Sequence, residues 1–188
     1  MLVLASASPR RQELLRNAGI EFVVHPANVP EIPRDGELPQ SFAERMAREK
    51  ALAVFAQRPN DLVLGADTIV VVDGEILGKP RDTADAVRML RLLSGRKHEV
   101  MTGVYIAGPK LKTEIRGCEA TVVVLNALSD DDIRDYVASG EPMDKAGAYA
   151  IQGRASRWIP RIEGDYFNVV GLPLALVWRM LKEAQGKK

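Results

Sequence analysis

Six stretches of the chain combine side chains able to do chemistry with residues that shape a backbone around a ligand. The first is Ser6-Ala7-Ser8-Pro9-Arg10-Arg11, which follows an apolar run and opens a helical pattern. Free N–H groups, hydroxyls and two guanidinium groups at one helix N-terminus suit phosphate. A plain N-cap with two solvated arginines accounts for the same residues. Two cations in a first turn oppose the helix macrodipole, a conflict that a bound anion would remove. The second stretch is Gly65-Ala66-Asp67-Thr68, inside the otherwise apolar run Leu62–Val72. A carboxylate in a central strand is costly unless it is paired or binds metal. Asp67 therefore reads as a metal ligand or general base, the alternative being a carboxylate paired with an arginine or with backbone amides. Gly65 and Ala66 read as small residues that leave room for a ligand.

Lys50 has Met46 and Val54 four residues to either side, so it lies in an apolar helical stripe. It either snorkels or points inward as a phosphate clamp. Gly78-Lys79-Pro80-Arg81 lies just past a hairpin signal and reads as a basic loop, solvated or folded back over a site. Asp144-Lys145-Ala-Gly-Ala-Tyr149, continuing to Gln152-Gly153, offers small residues for close approach and an amide that both donates and accepts, as recognition of a base requires. Gly164-Asp165-Tyr-Phe-Asn168 and Gly171-Leu-Pro173 can be a turn and a helix start with no further role. Glu31 reads from composition as a solvated glutamate, His25 and His98 as structural, and Cys118 as a thiol without an activating motif. Basic groups for phosphates, one isolated strand carboxylate and one amide for a base suggest a nucleotide hydrolase using water and a Mg²⁺-type ion. No Walker pattern, dinucleotide fingerprint or nucleophile elbow is present.

These residues need elements to position them. Leu2–Ala5 reads as a buried strand, and Ser8-Pro9 opens a helix that Gly19 stops. Glu21–Val24 reads as strand, and the segment from Pro26 to Pro39, with four prolines, as a loop. Ser41-Phe-Ala-Glu44 is a capping-box pattern that predicts a long helix to about Gln57. Leu62–Val72, then Asp73-Gly74 and Glu75–Leu77, predict a hairpin. Asp82 or Thr83 begins a helix running through Leu93, and Ser129 with three aspartates begins another that ends near Gly140. Glu99–Ala107 and Glu114–Leu125 read as long strands, and Ala148–Ile151, Trp158–Ile162 and Tyr166–Val170 as short ones. Pro173 opens the last helix, and Gln185–Lys188 reads as a frayed tail. Interleaved helices and strands with hairpins predict an α/β class with a mixed sheet, in one domain over residues 1–188.

Composition narrows the function further. With 188 residues, 46% hydrophobic and 27% charged, the chain has ordinary globular usage. Its formal net charge of +1 supplies no bulk field for nucleic acid or a membrane surface, so any anion site must be local. One cysteine allows no intrachain disulfide, and two histidines make a dedicated zinc site unexpected. The start, Met1-Leu-Val-Leu-Ala5, reads as a strand rather than a signal peptide, and a cytoplasmic location is the simplest expectation.

The motifs closely resemble those of the Maf family, house-cleaning nucleoside triphosphate pyrophosphatases once described as septum-formation inhibitors. The matching pieces are Ser6-Ala-Ser8-Pro9-Arg10-Arg11, Ala47-Arg-Glu-Lys50-Ala51, Gly65-Ala-Asp67-Thr68, Gly78-Lys79-Pro80, Asp144-Lys145-Ala-Gly-Ala-Tyr149, Ile151-Gln152-Gly153 and Val170-Gly-Leu-Pro173, in family order from residue 4 to 173. The resemblance implies the Maf-like (ITPase-like) fold, a mixed, curved β-sheet with flanking helices and a central substrate cleft. It implies conversion of a triphosphate and water into a monophosphate and pyrophosphate. Asp67 matches the family's proton acceptor, and Ser8, Arg11, Glu31, Lys50 and Lys79 match its cleft residues. A divalent cation, Mg²⁺ or Mn²⁺, is the implied cofactor, with Glu31 and Asp67 as its ligands, and a homodimer is the implied assembly. One branch of the family acts on dTTP and UTP; another prefers 7-methyl-GTP and replaces the first arginine after Ser-Pro with tryptophan, Asp-Thr with Asp-Gln, and Ile-Gln-Gly with Ser-Glu-Gly. With Arg10, Thr68 and Gln152, this chain resembles the dTTP/UTP branch. Glutamine can satisfy both the N3–H and a carbonyl of a pyrimidine, whereas glutamate suits the donor edge of guanine. The alternatives are a 7-methyl-GTP pyrophosphatase and a non-catalytic nucleotide-binding regulator of septum formation.

Overall fold

Leu2-Val3-Leu4 forms β1 (Leu2–Leu4), and Val3 and Leu4 are fully buried. Ser8 then caps α1 (Pro9–Asn17), its hydroxyl accepting from the Arg11 backbone N–H at 3.4 Å. A short β2 (Val23–Val24) precedes an irregular segment that leads to α2 (Pro39–Phe55). Leu38 occupies the N-cap with no side-chain cap. The helix therefore begins ahead of the expected capping box, because Pro39 supplies a first residue with φ already set for a helix. Glu44 accepts from Gln40 Nε2 at 2.9 Å.

β3 (Leu62–Val72) and β4 (Glu75–Leu77) form the expected hairpin, with Val72 opposite Glu75. Asp73 and Gly74 have φ of 51° and 80°, as a two-residue turn between twisted antiparallel strands requires. α3 (Thr83–Leu93) starts on an Asp82 cap and is followed by β5 (Lys97–Ala107) and β6 (Ile115–Val124). α4 (Asp130–Ala138) begins with a reciprocal Ser129–Asp132 capping box. Three short 3₁₀ turns, Glu141–Asp144, Ala146–Ala148 and Arg154–Trp158, lead to β7 (Arg161–Glu163), α5 (Tyr166–Val170) and α6 (Leu174–Ala184).

The late strands are where expectation and structure part. Ala148–Ile151 is not a strand: Gly147 and Ala148 sit at φ of 67° and 60°, which breaks an extended run. Tyr166–Val170 is helical despite its β-prone residues. Asp165 Oδ1 accepts from the Phe167 N–H at 2.7 Å and so closes a turn, and Asn168 Nδ2 donates to the Val100 carbonyl at 2.9 Å and to Thr121 Oγ1 at 3.0 Å. Of the expected strand Trp158–Ile162, only the last two residues fall within β7.

The computed structural model describes residues 1–109, 111 and 113–186; the final lysines of the expected tail lie outside them. Among the described residues, seven strands form one mixed sheet in the order β2-β1-β3-β5-β6-β7, with β4 on β3. β1 is parallel to β2 and β3, while β3–β4 and β6–β7 are antiparallel. The chain divides into two compact units. One comprises Met1–Thr68, Thr102–Glu119 and the segment from Gly171; the other comprises Ile69–Met101 and Ala120–Val170. Each has its own core. In the first, Val3, Ala47, Ala51, Val54, Val63 and Tyr105 pack together. In the second, Leu77, Leu90, Leu93, Tyr136, Tyr149 and Trp158 do so. Among the described residues, no helix is long and apolar enough to cross a membrane.

Candidate active site

In the first unit, β3 presents Asp67 and α2 presents Lys50. Their meeting depends on Gly65. A Cβ built there would lie 2.1 Å from the Ala47 carbonyl oxygen and 2.8 Å from the Ala51 nitrogen. Gly65 is thus small because α2 packs directly on β3, and not because a ligand approaches it. The same close packing at Gly103, whose Cβ would lie 2.2 Å from the Ala43 carbonyl oxygen, extends the contact along α2. Lys50, one turn beyond Ala47, then reaches across. Its Nζ donates to Asp67 Oδ1 at 2.5 Å and to Glu31 Oε1 at 2.6 Å. Lys50 therefore neither snorkels nor stands alone: it bridges two carboxylates from the strand and the proline-rich loop.

Asp67 is almost fully buried. Burial pushes its carboxyl above the usual carboxylate range; the Lys50 ammonium and the Arg11 guanidinium pull the other way, and Glu31 adds to the rise. Lys50 engages Oδ1. Among the described residues no hydrogen bond reaches Oδ2, so that oxygen is the one available to take a proton.

Arg11 is buried and enclosed by protein acceptors. Its Nε donates to the Gly171 carbonyl at 2.8 Å, Nη1 to the Ala66 carbonyl at 3.0 Å and Ser6 Oγ at 3.1 Å, and Nη2 to Thr68 Oγ1 at 3.0 Å. Four of the five N–H donors of this side chain are engaged in these bonds. The guanidinium thus grips the residues on both sides of Asp67. Burial lowers its pKa, while Asp67 and Glu31 raise it. Thr68 Oγ1 also pairs with Thr102 Oγ1 at 2.9 Å and reaches the Gly171 carbonyl at 3.3 Å. Ser8 and Arg10 are half-buried at the start of α1.

The second unit carries the other two expected site residues. Lys79 is exposed on the loop after β4, where the Gly147 N–H donates to the Gly78 carbonyl at 3.1 Å. That bond ties the Lys79 loop to the Asp144–Tyr149 segment. Gln152 is exposed on the turn that follows. Neither side chain hydrogen-bonds to another described residue.

The structure thus joins Glu31, Lys50 and Asp67 directly, and Arg11 to Thr68. Sequence reasoning missed Ser6, Thr102 and the Gly171 carbonyl as partners of that second pair. Ser6 and Gly171 lie in motifs that the sequence singles out for other reasons, and a backbone carbonyl carries no residue-type signature. His98, read as structural, and Cys118, read as a thiol without an activating motif, both sit in surroundings that disfavour their charged forms. His98 Nε2 shares a 2.7 Å hydrogen bond with the Tyr149 hydroxyl, and burial pushes its pKa down to about 4. Burial pushes the Cys118 thiol up to about 12.

Carboxylate oxygens suit a hard divalent cation. Among the described residues, no group of three or more His, Cys, Asp or Glu side chains could hold an ion. Glu31 and Asp67 offer two hard oxygen donors beside a cation, which does not make a closed protein cage. They fit Mg²⁺, which binds through one or two carboxylates and completes its shell with waters and substrate phosphates.

Comparison with known proteins identifies the family. Residues 1–184 match the family of the Maf-like protein. A dTTP/UTP pyrophosphatase of Koribacter versatilis is 60% identical over 183 residues, 97% of this chain and 94% of that protein. A dTTP/UTP pyrophosphatase of Geobacter sulfurreducens is 55% identical over 176 residues, 94% of this chain and 92% of that protein. The crystal structure of protein VC0702 from Vibrio cholerae superposes with a TM-score of 0.51 at 13% identity, covering 100% of this chain and 98% of that one, a likeness of fold alone. With residues 1–184 matched by the family model and relatives at 55–60% identity over most of its length, the chain belongs to the Maf-like family.

Proposed function

We propose that this chain hydrolyses dTTP and UTP to the monophosphate and pyrophosphate. The observation that carries the mechanism is the buried Asp67 carboxylate, held by Lys50 through one oxygen only. Its relatives at 55–60% identity, named dTTP/UTP pyrophosphatases, support the choice of substrate.

In this reading Asp67 Oδ2 takes a proton from water as the water oxygen bonds to the α-phosphorus and the bridging P–O bond to the β-phosphate breaks. Pyrophosphate leaves with the bonding electrons. Lys50 holds Asp67 in place and offsets part of the charge of the incoming triphosphate. A Mg²⁺-type ion held by Glu31 and Asp67 would share phosphate charge and acidify the attacking water. Ser8 and Arg10, at the N-terminus of α1, are the residues we assign to phosphate oxygens. Arg11 keeps the Ala66–Thr68 backbone fixed and has one N–H left for a ligand. Lys79 is assigned to phosphate and Gln152 to the base. The reading includes a homodimeric, cytoplasmic protein; light scattering tests the dimer.

The deciding experiment measures pyrophosphate release from dTTP and UTP with Mg²⁺ for the wild type and Asp67→Asn. Loss of a positioned base is expected to cost at least ~10²-fold in rate. Wild-type turnover in the variant overturns the assignment of Asp67. No turnover in the wild type, with nucleotide still bound, leaves a binding protein.

A further inference from the structure

Gln152 is the centre of a short turn whose two ends are held by the same pair of side chains. The turn occupies Ile151–Gly153 in the second unit, closed by the Gly153 N–H donating to the Ala150 carbonyl at 3.1 Å. On its entry side, the Ala150 N–H donates to the Tyr136 hydroxyl oxygen at 3.2 Å. That hydroxyl donates in turn to Glu141 Oε1 at 2.9 Å. On its exit side, the Arg154 N–H donates to Glu141 Oε1 at 3.0 Å and Oε2 at 3.3 Å. One phenol and one carboxylate thus bracket the turn.

The bracket is itself anchored. Tyr136 is fully buried on α4, its ring edge-on to Trp158 with centroids 5.3 Å apart. Burial and the adjacent carboxylate push its hydroxyl further above its ordinary value, so it stays a donor. Lys145 Nζ donates to the Glu141 carbonyl at 2.8 Å and fixes the backbone that bears the carboxylate. The turn has no slack on its inner side, since a Cβ built on Gly153 would lie 1.9 Å from Glu141 Oε1. A side chain at this position would displace the carboxylate from its bonds to the turn. By contrast, the Gln152 amide at the tip is exposed and makes no hydrogen bond to any described residue.

A rigid turn that presents an uncommitted amide is the arrangement expected of a recognition element. The ordering cost is met in folding rather than on binding, so a mismatched partner cannot recover contacts by moving the loop. We infer that Glu141, oriented by Tyr136, is a positioning residue that sets base selectivity through the Ile151–Gly153 turn. The inference rests on the proposed dTTP/UTP activity and on Gln152 as the group that meets the base. Glu141 does not touch the nucleotide. It fixes where Gln152 stands, and a base whose donor and acceptor pattern does not suit that position is rejected.

The test is kcat/KM for dTTP, UTP, CTP and GTP in the wild type, Glu141→Ala, Tyr136→Phe, Glu141→Gln and Gly153→Ala, with circular dichroism confirming the fold of each. Glu141→Ala and Tyr136→Phe free one or both ends of the turn. The preference for dTTP and UTP over CTP is expected to narrow at least ~10-fold, about 1.4 kcal/mol. The change lies mainly in a raised KM for dTTP, with kcat kept within a few-fold. Glu141→Gln keeps an oxygen for the Arg154 N–H and retains most of the preference. Gly153→Ala pushes the carboxylate away from the turn side and narrows the preference by an independent route. A merely structural role lowers yield or melting temperature and kcat for all four nucleotides alike, without moving the ratio. Folded variants that keep the wild-type ratio overturn this inference alone. A wild type that hydrolyses CTP as fast as dTTP overturns the reading of Gln152, and this inference with it.

Discussion

Asp67 and Lys50 form a buried pair whose separation has two measurable consequences. A base works only when deprotonated, so the rate falls as pH drops through the Asp67 pKa, which burial has raised above the ordinary ~3.9. Lys50 opposes that rise. Lys50→Met removes the opposition and is expected to move the acidic limb of the kcat/KM profile to higher pH, on top of any lost phosphate contact. It also leaves a buried carboxylate unpaired, at a cost of roughly 3–5 kcal/mol near neutral pH. The sign follows from linkage: a carboxylate whose folded pKa lies above its unfolded value adds stability below the unfolded pKa and loses it as pH rises through the folded one. Lys50→Met should therefore regain stability as the medium is acidified, as read by urea unfolding. The double variant Lys50→Met/Asp67→Asn should lack that pH dependence. Unshifted limbs and pH-independent stability in Lys50→Met would show that the two groups do not interact.

Arg11 shows at the same scale what residue type alone conveys. Two arginines after Ser-Pro read as a matched pair of phosphate ligands, yet the acceptors of Arg11 come from residues as far apart in sequence as Ser6 and Gly171. Nothing local in the sequence marks those carbonyls. A lysine cannot reproduce the planar fork, so Arg11→Lys is expected to lose folding stability on the order of 1–3 kcal/mol together with activity. Full stability with weakened triphosphate binding would instead make Arg11 a direct ligand.

The elements explain how a strand, a helix and a loop hold one ammonium between two carboxylates. β3 and α2 touch at Gly65, where an added Cβ meets the backbone of α2 and no side-chain rotation can relieve it. Gly65→Ala is expected to destabilise by about 1–3 kcal/mol or more and to depress activity by separating Lys50 from Asp67. Activity lost at unchanged stability would restore the ligand-approach reading. The Glu31 loop is secured differently. Arg45 on α2 donates to both Glu37 carboxylate oxygens at 2.6 Å, to Glu49 at 3.0 Å and to the carbonyl of Ile32, the residue after Glu31, at 3.0 Å. These bonds pull the Glu37 pKa down to about 2. A depressed carboxylate pKa contributes stability above its unfolded value of ~4.3, which fades as pH falls toward the folded one. Glu37→Gln is expected to weaken the protein by roughly 1–2 kcal/mol at neutral pH, with the gap to wild type closing between about pH 4 and 2. It should also expose the segment between Pro26 and Leu38 to protease. An equal gap at pH 7 and pH 3 would remove Glu37 from the clamp.

Legibility at this scale divides by range. Asp73-Gly74, the Asp82 cap and the Ser129–Asp132 box stand where the sequence puts them because each motif satisfies its own backbone groups within a few residues. Tyr166–Val170 and Ala148–Ile151 were misread because β-prone composition is a weak preference. A buried Asn168 bonding to Val100 and a left-handed Gly147-Ala148 pair override it. In the site, Asp67 was legible from its residue type and setting, Lys50 was left open between two roles, Glu31 came only from the family resemblance, and their joining by one ammonium was not legible. That contact spans 17 residues in one direction and 19 in the other.

For the whole molecule, substrate binding can be separated from turnover through stability. A ligand that binds only the folded state at about 100 times its Kd adds ~2.7 kcal/mol. For a chain of this length, each kcal/mol raises Tm by roughly 2–4 °C. Asp67→Asn removes the proton acceptor and weakens one of the two assigned metal ligands, yet leaves Ser8, Arg10, Lys79 and Gln152 intact, so at raised Mg²⁺ it should bind dTTP without consuming it. Its Tm is expected to rise by about 5–10 °C at saturating dTTP or UTP, and by less with CTP at the same concentration. An equal rise with dTTP and CTP would remove Gln152 from the base contacts and leave base selection to the residues around Thr68.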